Sequence, residues 1–263
     1  MTRRAEILVV ALATVVPLTT AVPASATTLS NKVVSRLVIG RSVEGRPIRA
    51  VQKGNPDAAR TVVVIGQMHG DERAGVRTAR FVIRHVRVSS DTDLWVIPTM
   101  NPDGLAHDTR QNARGVDLNR NWPMNWRPGH RGATYPGRRA ASEPETRAML
   151  AFLAKVQPRF LTSIHQPFGE VGKDKDKPIH FQRRLARGLR LPLRRIDIGG
   201  PTMISHEPGL QPGGADNGPT LTGWYNAHYP GTAITVEFTR HPGQRYVTAV
   251  AGRGIVHASW GDR

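Results

Sequence analysis

The sequence predicts one α/β domain: a central mixed, largely parallel β-sheet flanked by helices on both faces. Three observations predict it. Short apolar runs recur along the chain at residues 61–65 (TVVVI), 94–97 (LWVI), 160–164 (FLTSI) and 233–238 (AITVEF), and unbroken apolar runs of that length mark strands buried on both faces. Between them lie segments whose apolar residues recur at helical spacing, and alternation of the two kinds builds a layered α/β fold. Finally, polar residues collect where the runs stop: His69 and Glu72 after the first, Asn101 after the second, His165 after the third and Glu237 within the fourth. Ligands of open α/β sheets bind at the carboxyl ends of strands, so this convergence marks the functional edge.

The elements follow in order. Residues 1–26 read as an export signal: Arg3 and Arg4 give a positive start, residues 7–16 are apolar, and Ala24, Ser25 and Ala26 form a small-x-small cleavage pattern. A membrane anchor is the alternative, but Pro17 and several threonines interrupt a run already short of the roughly 20 apolar residues a spanning helix needs. Residues 27–263 then form the folded, secreted part, a length that suits one large domain. No second hydrophobic segment follows, so no membrane contact is expected after signal removal.

Residues 37–51 alternate around Glu44 and Gly45 and predict a hairpin near a sheet edge. The strand at 61–65 stops at Gly66, and from Glu72 to Val86 the residues Val76, Ala79, Ile83 and Val86 repeat at helical spacing. The strand at 94–97 runs into NPDG. Residues 101–139 carry Gly, Asn, Pro and Arg with little periodicity and predict a long irregular loop, of a length that is usually functional or disordered. Ser142 and Glu145 match the Ser-x-x-Glu capping box, opening a helix whose stripe is Met149, Phe152 and Val156. After the strand ending at His165 come a charged loop at 169–178, a basic helix around 181–189, a short strand at 196–198, a Gly/Pro-rich loop at 199–218 and the last strand at 233–238.

Composition narrows the chemistry. The 263 residues include no cysteine, which excludes disulfides, thiol catalysis and thiolate metal sites, so any metal is held by His, Asp or Glu. A net charge of +17 points to an anionic partner such as an acidic wall or acidic substrate, or serves solubility alone. Nucleic acid is not expected, because aromatics are few and no recognised binding module is present. Catalytic zinc usually takes three protein ligands, two His and one Glu being a common set, and leaves a position open. His69 and Glu72, three apart where a strand turns into a helix, can aim donors at one point, and His165 is the natural third ligand. A His-x-x-Glu pair alone also occurs without a metal, as does a lone His after a strand.

Six segments in register carry the identification further: HGDE (69–72), NPDG (101–104), TRQNARGVDLNRNW (109–122), SEPET (142–146), SIH (163–165) and TVEF (235–238). In this order the sequence resembles the zinc carboxypeptidase family over most of its length. The resemblance implies one zinc ion held by His69, Glu72 and His165, Glu237 as the catalytic glutamate, and Arg110 as the group that stabilises the oxyanion. It implies that Asn119 and Arg120 grip the substrate's carboxylate. Without the motif, Arg110 and Arg120 would read as solvated surface residues.

The digestive members' substrate-binding tyrosine has no clear counterpart. Tyr225 and Tyr229 fall in GPTLTGWYNAHY, which is closer to the loop of the murein tripeptide amidase branch, whose members cleave γ-D-glutamyl–diaminopimelate bonds. The expected activity is thus that of a secreted metallocarboxypeptidase acting on peptides, with acidic cell-wall peptides as candidate substrates. Two other readings share features: a zinc deacylase of the aspartoacylase-like branch, and a non-catalytic wall- or peptide-binding protein. The intact NPDG and SEPET segments favour the peptidase over the first, and the retained ligands and glutamate favour it over the second.

Overall fold

The structure, a computed structural model, describes residues 28–195 and 218–261. In chain order these residues form β1 (Leu29–Ser30), β2 (Val33–Arg41), β3 (Pro47–Gly54), β4 (Arg60–Ile65), α1 (Ala74–His85), β5 (Val88–Ser89), β6 (Thr92–Ile97), α2 (Pro102–His107), α3 (Pro144–Val156) and β7 (Phe160–His165). Then come β8 (Phe168–Gly172), α4 (Ile179–Leu189), β9 (Leu193–Arg194), α5 (Leu221–His228), β10 (Thr232–Thr239) and α6 (Ala251–Ala258). A 3-10 turn lies at Leu118–Arg120 and a π-helical turn at Tyr246–Val250.

Eight strands make one mixed sheet in the order β2-β3-β6-β4-β7-β10-β8-β9, and β1 pairs with β5 apart from it. The four central strands are mutually parallel, with β6 against β4, β4 against β7, and β7 against β10. The antiparallel β2–β3 hairpin occupies one edge, as its alternation predicts. Because the central strands run the same way, all four carboxyl ends open onto one edge of the sheet, where their loops meet.

The sheet separates two cores. On one face Val62, Val64, Leu94, Val96, Val236 and Phe238 pack against α1, α4 and α6; on the other Val63, Ile65, Trp95, Ile97 and Leu161 pack against α3 and α5. Odd and even positions of one strand thus serve opposite cores, which is why the central strands read as unbroken apolar runs. The helix α1 buries Val76, Ala79 and Val82, and its last-turn carbonyls are capped by the buried Lys53, whose ammonium donates to the carbonyls of Val82, Ile83 and Val86 at 2.6–2.9 Å. None of the helices among the described residues is long and apolar enough to cross a membrane.

Several expectations need correction. Ser142 and Glu145 form no capping box: α3 starts at Pro144 with Glu143 as its flanking residue and no side-chain cap bond. Proline pre-sets the first helical turn, and Glu145 is drawn away to accept the Val43 backbone amide at 3.0 Å. Residues 101–139 are not wholly irregular, since they include α2 and the 3-10 turn. The expected charged loop at 169–178 begins instead inside β8, which pairs with β10. The strand expected at 196–198 and nearly all of the loop at 199–218 lie outside the described residues, as does the signal at 1–26. Three helices, α2, α5 and α6, were not read from the sequence pattern.

Candidate metal centre and active site

Each candidate side chain is placed by a different element. The loop after β4 carries His69 and Glu72 into the start of α1, and its turn requires Gly70, where an added Cβ would come within 1.9 Å of the Gly104 carbonyl carbon. That close approach nests HGDE against NPDG. Asn101, noted in the sequence as a polar residue at a strand end, is structural: its side chain accepts from the Gly104 amide at 2.9 Å, caps α2 and holds the NPDG loop in place.

His165 is the last residue of β7, and in the parallel register its partner on β10 is Glu237. Paired residues on neighbouring strands share a face, so sheet pairing itself brings the proposed base beside the proposed ligand. The sequence-predicted ligands do meet. One donor atom from each of His69, Glu72 and His165 lies within 4.8 Å of the others, and all three residues are buried. The two Nδ1 atoms stand 3.2 Å apart, with Glu72 Oε1 2.7 Å from His69 Nδ1 and Oε2 3.1 Å from His165 Nδ1.

That arrangement fits zinc. Ligand atoms about 2.0–2.1 Å from a tetrahedral ion lie about 3.3 Å from one another, close to the separations seen between these donors. Two imidazole nitrogens and a carboxylate are the preferred chemistry for such a site. Beside them Glu237 is buried, and its Oε2 has no hydrogen-bond partner. A buried carboxylate oxygen without a partner is costly, and a cation with its water is the kind of neighbour that would satisfy it.

A second layer fixes the first. Asp117, which sequence reasoning passed over, lies 3.1 Å from His69 Nε2 through Oδ1, and the same oxygen accepts from the Asn119 amide. Its other oxygen accepts from Arg110 Nη2 at 2.9 Å and Nε at 3.3 Å. Asp117 thus orients a ligand imidazole and an arginine at once. The signal lay inside the quoted motif, where one acid precedes Leu-Asn-Arg-Asn and caps the 3-10 turn. His165 is held in the same manner, its Nε2 lying 3.1 Å from the Ser163 hydroxyl.

Arg110 extends over the cluster, with Nη1 3.6 Å from Glu72 Oε1. Asn119 is buried, and its Oδ1 accepts from the Leu221 amide at 3.1 Å, tying the 3-10 turn to the start of α5. Arg120 follows on the same turn; burial lowers its pKa against the attraction of Asp117. Arg110, Asn119 and Arg120 therefore sit in one short stretch adjoining the metal-ligand cluster. Tyr225 is a core residue, buried with its hydroxyl donating to the Pro158 carbonyl at 2.6 Å, and Tyr229 stacks on it.

The electrostatics follow from burial among charges. Burial raises the pKa of Glu72, but the two imidazoles outweigh it and bring the carboxyl down to about 2. For His69 burial acts downward, yet Glu72 and then Asp117 prevail over it and over Arg110, lifting the imidazole to about 9. Burial, then Glu72, pushes Glu237 up to about 8. Burial also raises Asp117, but Arg110 and His69 hold it well below the carboxylate range.

Metal loading must therefore displace a proton from His69. Zinc affinity is expected to rise as pH climbs toward about 9 and to fall below it, because a ligand histidine must be neutral. Titration calorimetry in buffers of different ionisation enthalpy reads the released protons; a pH-independent affinity across that range would contradict the coupling. A second expectation concerns Asp117→Asn, which removes the carboxylate behind His69. Zinc affinity should drop about 10–100-fold, measured by chelator competition with the fold checked by circular dichroism, and unchanged affinity would leave Asp117 no role at the metal.

A mixed α/β sheet carrying a buried His-x-x-Glu pair, completed by a histidine from a second strand end, defines a class of metal-dependent hydrolases. The chain belongs to the zinc carboxypeptidase family, whose profile matches residues 24–167. It is 32% identical over 170 residues to murein peptide amidase A of Escherichia coli K12, covering 59% of this chain and 67% of that protein. Carboxypeptidase D of Drosophila melanogaster is 32% identical over 143 residues, which span 44% of this chain but 10% of that larger protein. Among solved structures, murein-tripeptide amidase from Escherichia coli O157 superposes with a TM-score of 0.64 at 24% identity, covering 87% of this chain and 93% of that one. Carboxypeptidase A from Helicoverpa armigera gives 0.68 at 18% identity, covering 88% and 69%. These likenesses establish the fold around the site.

Proposed function

We propose that the protein is an exported zinc metallocarboxypeptidase that hydrolyses the bond before a C-terminal, carboxylate-bearing residue, with the γ-D-glutamyl–diaminopimelate bond of murein peptides as its substrate. The observation that carries the reading is the partnerless Oε2 of the buried Glu237 carboxylate beside the buried donors of His69, Glu72 and His165. When bound, zinc supplies Lewis acidity to a water and to a substrate carbonyl. Glu237 takes a proton from the attacking water as its oxygen adds to the carbonyl carbon, and passes a proton to the amine nitrogen as the C–N bond breaks. Arg110, held by Asp117, places guanidinium donors where negative charge develops on the carbonyl oxygen. Arg120 supplies a planar fork and Asn119 a neutral donor for the substrate's terminal carboxylate.

The murein assignment is supported by the amidase relative and by a Tyr225–Tyr229 pair absorbed in the packing of α5. Export is supported by the pattern of residues 1–26, with the catalytic domain taken as residues 27–263. The strongly basic chain suits an anionic wall peptide. The test is incubation of the purified protein, residues 27–263, with a panel of peptides including L-alanyl-γ-D-glutamyl-diaminopimelate, with and without a chelator. Release of diaminopimelate that stops on chelation and returns with zinc is the expected result. Chelator-insensitive release, or no release from any peptide, would overturn the reading.

A further inference from the structure

A cavity of about 650 Å³ meets the metal cluster at Glu72, and neither of the motif residues Asn119 and Arg120 lines it. Glu72 and Arg110 line it together with Arg73, Arg77, Arg240 and His241. This volume lies in the range of small-ligand sites, roughly 300–1,000 Å³. Arg73 is already engaged, its Nε 2.8 Å from Asp108 and its Nη2 bonded to the Leu105 carbonyl. Arg77 and Arg240 form no ion pair among the described residues, and beyond Glu72 the lining contains one acid, Asp71.

The two free arginines come from segments distant in sequence, the first turns of α1 and the chain leaving β10, and one side chain fixes their spacing. Gln166 accepts from the Ala74 amide at 3.0 Å and donates to the carbonyls of Thr239 and Arg240 at 3.2 and 2.9 Å. The cation-lined cavity is thus clamped by hydrogen bonds between the end of β7, the start of α1 and the end of β10. Unpaired guanidinium groups held in a concave site present donors suited to a carboxylate.

We propose that this cavity recognises a carboxylate borne by the acyl residue of the substrate, the free α-carboxylate of a γ-linked glutamate, with Arg77 and Arg240 as the specificity-determining residues. The inference rests on the peptidase reading for its direction. A substrate whose terminal carboxylate is held by Asn119 and Arg120, and whose scissile carbonyl lies at the metal cluster, sends its acyl side into this cavity. A γ-linked glutamate carries its α-carboxylate close to the scissile bond, where an α-linked peptide has its next amide. An α-carboxamide at that position presents no charge to the two arginines, so the enzyme should discriminate amidated from unamidated peptides.

The experiment compares two tripeptides, L-alanyl-γ-D-glutamyl-diaminopimelate and its α-carboxamide analogue, as substrates of the zinc-loaded protein and of the Arg77→Gln/Arg240→Gln variant. The expected result is a kcat/KM ratio of about 10–100 in favour of the free acid, the range for a charged hydrogen-bonding partner. In the variant the ratio should fall to about one through loss on the acid substrate. A wild-type ratio near one, or a ratio unchanged in the variant, overturns the inference while leaving the hydrolase intact. A calorimetric arm does not depend on turnover: L-alanyl-D-glutamate should bind the wild type more tightly than L-alanyl-D-isoglutamine, and the variant should bind them alike. If neither tripeptide is cleaved, the murein reading fails, and this arm still decides the cavity, because equal wild-type binding of the two dipeptides overturns it.

Discussion

Glu237→Gln is expected to lower kcat by about 10²- to 10⁴-fold, the span typical for loss of a general acid–base group, while zinc content stays at one equivalent. The substitution preserves shape on β10 and removes only the ability to exchange a proton, so the pairing of residue 237 with His165 persists. The buried position strengthens the expectation. Glu237 is held high, up to about 8, by burial and by the negative charge of Glu72. Glutamine has no charge to desolvate, so the variant should fold at least as stably in the absence of metal. Turnover followed by release of the C-terminal residue, together with metal analysis and a thermal melt, separates the outcomes. Near-normal kcat with full zinc would remove Glu237 from the proton path.

His165→Ala is expected to abolish stoichiometric zinc, with an affinity loss beyond the 10–100-fold seen when a supporting residue is removed. The reason lies in the geometry: His165 Nδ1 faces His69 Nδ1 at 3.2 Å and Glu72 Oε2 at 3.1 Å, so its loss opens one of three sides of the donor set. Because His165 is buried at the end of a central strand, His165→Gln serves as a bulk-preserving companion, and it too should fail to hold zinc stoichiometrically. An unchanged metal content would require another histidine. His228 is badly placed for that role, since its Nδ1 faces the Trp224 carbonyl at 2.7 Å and its ring stacks on Trp224; His206 lies outside the described residues.

What the sequence made legible follows from how locally each feature is encoded. The strands at 61–65 and 94–97 were readable because a strand buried on both faces must be apolar at every position, and the burial of Val62, Val63, Val64 and Ile65 shows it. The meeting of His69, Glu72 and His165 was readable because parallel strands bring their carboxyl ends to one edge. The helix α5 was not, because Gly223 and five aromatic or polar residues in LTGWYNAH give a weak periodic signal and its formation depends on packing Leu221, Trp224 and Tyr225 against the core. The capping box at Ser142 failed for a comparable reason. Long-range partners, the Val43 amide and Asn112, claimed the Glu145 carboxylate that a local rule assigned to the helix end, and the Ser142 hydroxyl donates instead to Glu143. Asp117 was visible in the sequence but not its purpose, which appears only when His69, 48 positions earlier, is brought against it.

The proposed hydrolysis requires one cation held by residues 69, 72 and 165, and anomalous diffraction at the zinc edge from crystals of the zinc-loaded protein tests for it most directly. One strong peak per chain is expected, bounded by His69 Nδ1, His165 Nδ1 and the Glu72 carboxylate, with metal–nitrogen distances of about 2.0–2.1 Å. A peak elsewhere, or none at this cluster in crystals carrying one equivalent of zinc, would contradict it.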